Sequence, residues 1–293
     1  MIAEKSAWIL ASRPKTLPAA ATPVIVATFI AVGDGSFRFW PAIAALIGAL
    51  LIQIGTNFAN DYFDFKKGTD TEERLGPTRV TQAGLLSPRK VLTGMWLVFV
   101  LAVLIGIYIL IIGGWPIFIL GLFSIIFGIA YTGGPYPLGY NGLGDIFVFI
   151  FFGFVAVGGT YYIQAGTVSP QVYWASVPIG LLTTAILVVN NFRDLEQDKK
   201  AGKRTLAVRF GKKITQLEYF LLLGFSYAVP IIIWIIGLAS AWILLVFLSL
   251  PLGISLSRDM LEKQGRELNE TLAGTGRLEL IYGLLFSIGY LLS

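Results

Sequence analysis

Apolar runs long enough to cross a bilayer recur at roughly 17–33, 41–60, 91–112, 115–131, 145–164, 172–190, 215–236, 239–257 and 278–292. They predict nine transmembrane helices. Only Gly113 and Gly114 part the third run from the fourth, and Pro18 and Pro23 interrupt the first.

The polar positions that break this pattern are ordered. In LVVNNFRDLEQDKKAGKRT, Asn190, Asp194 and Asp198 recur at i, i+4 and i+8, a spacing that places three oxygen-bearing side chains on one helix face. In IGTNFANDYFDFKKGTD, Asn57, Asp61 and Asp64 share a face in the same way. An offset of 133 residues lays Asn57, Asp61, Lys66 and Lys67 on Asn190, Asp194, Lys199 and Lys200 without a gap. The expected architecture is all-α and polytopic. It is one membrane-embedded domain over 1–293, made of two four-helix-like repeats, roughly 13–131 and 145–257, plus a final helix, with loops capping one face.

Composition agrees with a membrane protein: 56% of residues are hydrophobic and 13% charged, and the mean hydropathy is +0.76. The chain has no cysteine and no histidine. Disulfides, thiol chemistry, Ser-His-Asp catalysis and histidine-ligated metals are therefore excluded, leaving Asp, Glu, Tyr, Lys and Arg to carry any chemistry.

With nine spans the connecting segments alternate sides, and of 22 basic residues all but Arg38 fall on the side that holds the N-terminus. This bias predicts a cytoplasmic N-terminus, an external C-terminus and a multi-pass protein of the cytoplasmic membrane. The net charge of +5 then belongs to one membrane face and does not indicate nucleic-acid binding. Arg13 and Lys15 before an apolar stretch also resemble a signal peptide, but two prolines and the lack of a small-residue cleavage site favour a retained helix.

Carboxylates at membrane helix ends are costly, and one solvated terminus would not repeat its Asn and Asp spacing in a second half. Oxygen ligands without His or Cys suit a hard cation such as Mg2+, which bridges to substrate phosphates. The lysines and arginines that follow each column fit a phosphate-bearing partner, and they equally fit the topology bias and lipid headgroups. Both columns run into Gly- and Pro-containing loops that could cap a cavity, the first carrying Asp70 beyond Gly68. The segment YTGGPYPLGYNGLGD, from Tyr131 to Asp145, reads by composition as a tight turn with interfacial tyrosines.

NDYFD from Asn60 and NFRDLEQD from Asn191 resemble the two aspartate-rich motifs of the UbiA superfamily of intramembrane prenyltransferases. With RPKTLPAA from Arg13, NDYFDFKKGTDTEERLGPTRVTQAGLLSP, YTGGPYPLGYNGLGD and NNFRDLEQDKKAGKRTLAVRFG, the likeness is to the branch that prenylates 1,4-dihydroxy-2-naphthoate for menaquinone synthesis. Two details depart from the broader pattern: Asp70 follows Asp64 by six residues instead of four, and the second motif opens with Asn190 instead of Asp.

The resemblance implies a nine-helix bundle with a cytoplasm-facing Mg2+-diphosphate site. It implies Asn57, Asp61, Asp64, Asn190, Asp194 and Asp198 as metal ligands, the four aspartates being catalytic. Lys66, Arg193, Lys203 and Arg204 would bind the diphosphate of a polyprenyl donor, and Arg13, Arg79 and Tyr131 the aromatic acceptor. Other acceptors, 4-hydroxybenzoate, homogentisate or haem, belong to the same superfamily. From other classes, a cation-coupled transporter would hold its acids near the bilayer midplane, whereas both columns sit at helix ends. A CDP-alcohol phosphotransferase would need a DG-x2-AR-x8-G-x3-D-x3-D signature, which is absent.

Overall fold

The computed structural model describes residues 4–70 and 74–293; Thr71, Glu72 and Glu73 of the first long motif lie outside the described residues. Helix α1 (Glu4–Ser12), which no apolar run announced, precedes α2 (Leu17–Gly33) and α3 (Phe39–Lys66). Then follows α4 (Pro88–Ala130), opened by a Ser87 hydroxyl that accepts the Lys90 N–H while Pro88 occupies the first turn. A continuous rod comprises α5 (Gly144–Val148), a π-helix (Phe149–Gly158) and α6 (Gly159–Ala165). Next come α7 (Pro170–Arg193), the short α8 (Leu195–Lys200) and α9 (Leu206–Ile235), the last capped by Thr205. A 3-10 stretch (Ala241–Ser249) runs into α10 (Leu250–Glu262), and α11 (Leu268–Leu291) ends the chain.

Among the described residues, seven helices are long and apolar enough to cross a membrane, two fewer than the nine expected. Both differences have a local cause. The third and fourth expected spans form one 43-residue helix, broken where Gly114 takes φ 69°, ψ −174°, backbone that only glycine adopts without strain. The expected last span falls within α11, whose first half carries Arg277 and Glu279 and is correspondingly less apolar.

Two apolar cores organise the bundle. One joins α2 to α7, α9 and α11 through Ile30, Ile179, Leu182, Tyr219, Leu278 and Phe286. The other joins α1, α3 and α4 through Phe58, Val91, Met95 and Phe99. The α4 face bearing Trp96, Leu97, Val100, Leu104 and Ile111 is exposed, as a lipid-facing surface requires.

A cavity of about 370 Å³ opens beside the second core. Its wall includes Phe151, Phe152 and Val155 of the π-helix. That helix lies against α7 so tightly that a Cβ on Gly153 would sit 2.7 Å from the Ser176 carbonyl oxygen and 3.2 Å from Gly180 Cα. At one end of the bundle, Asp34 accepts hydrogen bonds from the hydroxyls of Tyr161 and Tyr290. The loops after α3, α4, α8 and α10 meet at the opposite end, where the carboxylates lie.

Candidate active site

Asn57, Asp61 and Asp64 project from the last turns of α3 and are 3%, 1% and 3% exposed. Asp61 accepts the backbone N–H groups of Val80 and Thr81, both at 3.0 Å, and so fixes the loop that follows α3. Asp64 accepts from Arg79 Nη2 at 2.7 Å and from the Tyr140 hydroxyl. Asp70 pairs with Arg74 and lies 3.2 Å from Arg79 Nε, so Arg79 spans two carboxylates. Burial pushes the Asp70 carboxyl up to about 6, against the pull of Arg74. The Asn57 amide donates to the Ser12 carbonyl at 2.9 Å and to Thr16, tying the N-terminal junction to the first column.

The second column is not one helix. α7 ends at Arg193, and Asp194 takes φ −94°, ψ 5° before α8 begins. The i to i−4 bonds nevertheless continue, from Asp194 N–H to the Asn190 carbonyl and from Asp198 N–H to the Asp194 carbonyl. Both oxygens of Asp194 meet the buried Arg193 guanidinium, Nε at 2.8 Å and Nη2 at 2.6 Å. Arg193 also donates to Asn190 and Asn269, so its donors are taken up inside the fold. Asp198 pairs with Lys203 at 3.0 Å.

The columns meet through the segment between α4 and α5. Tyr140 donates to Asp64, and the Nζ atoms of Lys67 and Lys203 lie over its ring at 4.8 and 4.7 Å. Burial and then Asp64 hold the Tyr140 phenol well above its ordinary value, keeping it a donor. Burial pulls Lys203 down, but Asp64 and Asp198 outweigh it and hold the ammonium above its usual range.

The remaining expected residues divide. Arg13, in left-handed backbone at φ 52°, is within electrostatic reach of Asp61, Asp64, Asp70 and Arg74 and has a buried Nη2 without a hydrogen-bond partner. Arg79 Nη1 is likewise buried and unpaired. Tyr131 lines the cavity with Asn57 and Asn60 and stands within electrostatic reach of Asp64 and Asp198. Lys66 and Arg204 are not drawn in. Lys66 is exposed, 6.0 Å from the Tyr62 ring, and the side chain of Arg204 is exposed while its N–H donates to the Tyr140 carbonyl. Lys67, which also donates to the Thr132 carbonyl, and Tyr140 stand beside the acids where Lys66 and Arg204 were expected. The only sequence signal for Tyr140 was a tyrosine in a Gly- and Pro-rich turn on the same side as the acids.

The donor set is chemically suited to a hard divalent cation: carboxylate and amide oxygens on two facing columns, with Asp70 Oδ2 buried and held by an ion pair with Arg79 but accepting no hydrogen bond. As the side chains stand, arginines, lysines and N–H groups neutralise these oxygens, and no three acidic groups among the described residues converge on one point. An anion that attracts the arginines and lysines would release oxygens to a cation.

A buried layer of alternating carboxylates and cations lies at the loop end of an apolar cavity in a helical bundle, an arrangement suited to a ligand with an anionic head and an apolar tail. Residues 20–273 match the UbiA prenyltransferase family, and the chain belongs to it. It is 37% identical to 1,4-dihydroxy-2-naphthoate octaprenyltransferase of Escherichia coli, over 100% of this chain and 97% of that one. The enzyme of the same name from Haemophilus influenzae is 36% identical over 100% and 98%. Among solved structures, a UbiA homolog from Archaeoglobus fulgidus bound to DMAPP and Mg2+ is similar in fold, with a TM-score of 0.65 over 96% of this chain and 99% of that one at 16% identity. A UbiA homolog from Aeropyrum pernix K1 gives 0.68 over 90% and 96%, also at 16% identity.

Proposed function

We propose that this chain transfers a polyprenyl group from polyprenyl diphosphate to 1,4-dihydroxy-2-naphthoate, releasing diphosphate and CO2 and giving demethylmenaquinol for menaquinone synthesis. The observation that carries this reading is the cationic and acidic layer joining Asp64 to Asp198, with Tyr131, Asn57 and Asn60 lining the adjacent cavity. Full-length identity to enzymes with that name supports the choice of acceptor.

The donor lies with its tail among the apolar walls and its diphosphate in the polar layer. Asp61, Asp64, Asp194 and Asp198 with Asn57 and Asn190 would hold Mg2+, which when bound would supply charge neutralisation for the departing diphosphate. Lys203 and Lys67 add fixed positive charge, while Arg193 orients Asp194. As the bond between the prenyl C1 and the diphosphate oxygen breaks, allylic positive charge develops at C1. The Tyr131 ring stabilises it through its π-face, and the loops around Asp70 and Arg79 keep water out.

Arg13 Nη2 and Arg79 Nη1, buried donors without partners, are suited to hold the acceptor carboxylate. The carboxyl-bearing ring carbon attacks C1, and the bond to the carboxylate then breaks, its electron pair restoring aromaticity as CO2 leaves. No histidine base is needed. The chain is one domain of two repeats, with the polar layer facing the cytoplasm.

The test is a membrane assay with Mg2+, a polyprenyl diphosphate and carboxyl-labelled 1,4-dihydroxy-2-naphthoate, with and without Asp194→Ala. Labelled CO2 that requires donor, metal and Asp194 is the expected result. Prenylation of 4-hydroxybenzoate without CO2 release from the naphthoate would overturn the acceptor.

A further inference from the structure

We infer that Tyr140 is a positioning residue whose ring holds Lys67 and Lys203 in place for the diphosphate of the donor, an inference that rests on the prenyl-transfer reading. The two lysines come from different halves of the chain, one just past α3 and the other past α8, and the Tyr140 ring is where both ammonium groups meet.

The ring is fixed at both ends. Its backbone carbonyl accepts the Arg204 N–H at 2.6 Å and its N–H donates to the Pro137 carbonyl. Its hydroxyl donates to Asp64 and lies 3.0 Å from the Thr69 hydroxyl. Lysine is a compact charge on a flexible four-carbon stem, so a ligand that had to gather two such chains would bear their ordering cost itself. The two ammonium groups also repel each other across the ring they share, and its π-system offsets that repulsion. Lys203 is also paired with Asp198, and Asp64, itself held by Arg79, lies within electrostatic reach of both lysines. The ring therefore keeps the cations near the acids until a phosphate offers them a stronger partner.

The ring, more than the hydroxyl, carries this role, which separates it from a simple hydrogen-bond prop. Purified full-length protein with Mg2+ is titrated with inorganic pyrophosphate by calorimetry, and the KM for polyprenyl diphosphate is measured apart from kcat. Tyr140→Leu should weaken pyrophosphate binding about tenfold and raise KM in step, the magnitude expected of one exposed cation–π contact, with Lys67, and one half-buried, with Lys203. Tyr140→Phe should stay within about threefold of the parent, since it retains both contacts. In a Lys67→Gln, Lys203→Gln background, Tyr140→Leu should add little, because residues that act as a unit are not additive.

Unchanged binding in Tyr140→Leu, equal loss in Tyr140→Phe, or full additivity with the lysine substitutions would each overturn the inference. A parent protein that does not bind pyrophosphate would instead overturn the prenyl-transfer reading on which it rests.

Discussion

The Asn269 amide of α11 donates to the Leu75 carbonyl at 2.8 Å across 194 residues of sequence, and its oxygen accepts from Arg193 Nη1 at 2.8 Å. The loop after α3 is thereby closed over the second aspartate column. Gly76 completes the fit, for a Cβ there would lie 2.7 Å from Arg193 Nη2.

Asn269→Ala removes both contacts and should loosen the loop. Amide exchange around Leu75 is expected to quicken by about fivefold, the opening that follows from losing roughly 1 kcal/mol of hydrogen bonding. Exchange mass spectrometry in detergent reads this directly; unchanged protection would mean that the loop is held elsewhere.

Asp61 should matter for stability as well as activity. Asp61→Ala strands the buried N–H groups of Val80 and Thr81, a loss of about 2–4 kcal/mol. Asp61→Asn keeps one acceptor oxygen and should lose about half of that. Thermal unfolding of the three proteins in one detergent checks the order.

Asp70 predicts a pH dependence of definite sign. Its carboxyl is raised from 3.8 to about 6 in the folded protein, so the folded state holds a proton that the unfolded chain releases. Its contribution to stability is complete below 3.8 and is lost as pH rises through about 6. Asp70→Asn should flatten the unfolding midpoint across that interval, and a slope unaltered by the substitution would refute the assignment.

Gly153→Leu should disrupt the bundle, since no rotamer removes a Cβ from its approach to the Ser176 carbonyl. A loss of about 1–3 kcal/mol or more is expected from overpacking, with lower yield of folded protein by size-exclusion chromatography.

How much of this was legible in the sequence follows from the length of each signal. The apolar runs and the Asn57, Asp61, Asp64 column repeat over many residues, and the helix that carries them is continuous. The second column was read as one helix, but the break at Asp194 leaves no sequence mark, since it goes with an ion pair between adjacent residues. Lys66 and Lys67 differ by one position, about 100° of helix, and only three-dimensional placement shows which approaches the acids. Tyr140 reaches Asp64 across 76 residues through a turn whose geometry no periodicity encodes. Arg79 is comparable: its link to both Asp64 and Asp70 depends on the path of a loop.

The π-helix at Phe149–Gly158 gives the cavity wall a phase as well as a shape. A π turn takes in more residues than an α turn, so everything downstream is rotated relative to a plain α-helix continued from Gly144. A return of this stretch to α turns with its residue number unchanged would therefore rotate Thr160 and Ile163 and carry both away from the cavity they line. The lining chemistry is thus set by the type of turn as well as by the residues, and a change of turn here would exchange one face for another without any substitution.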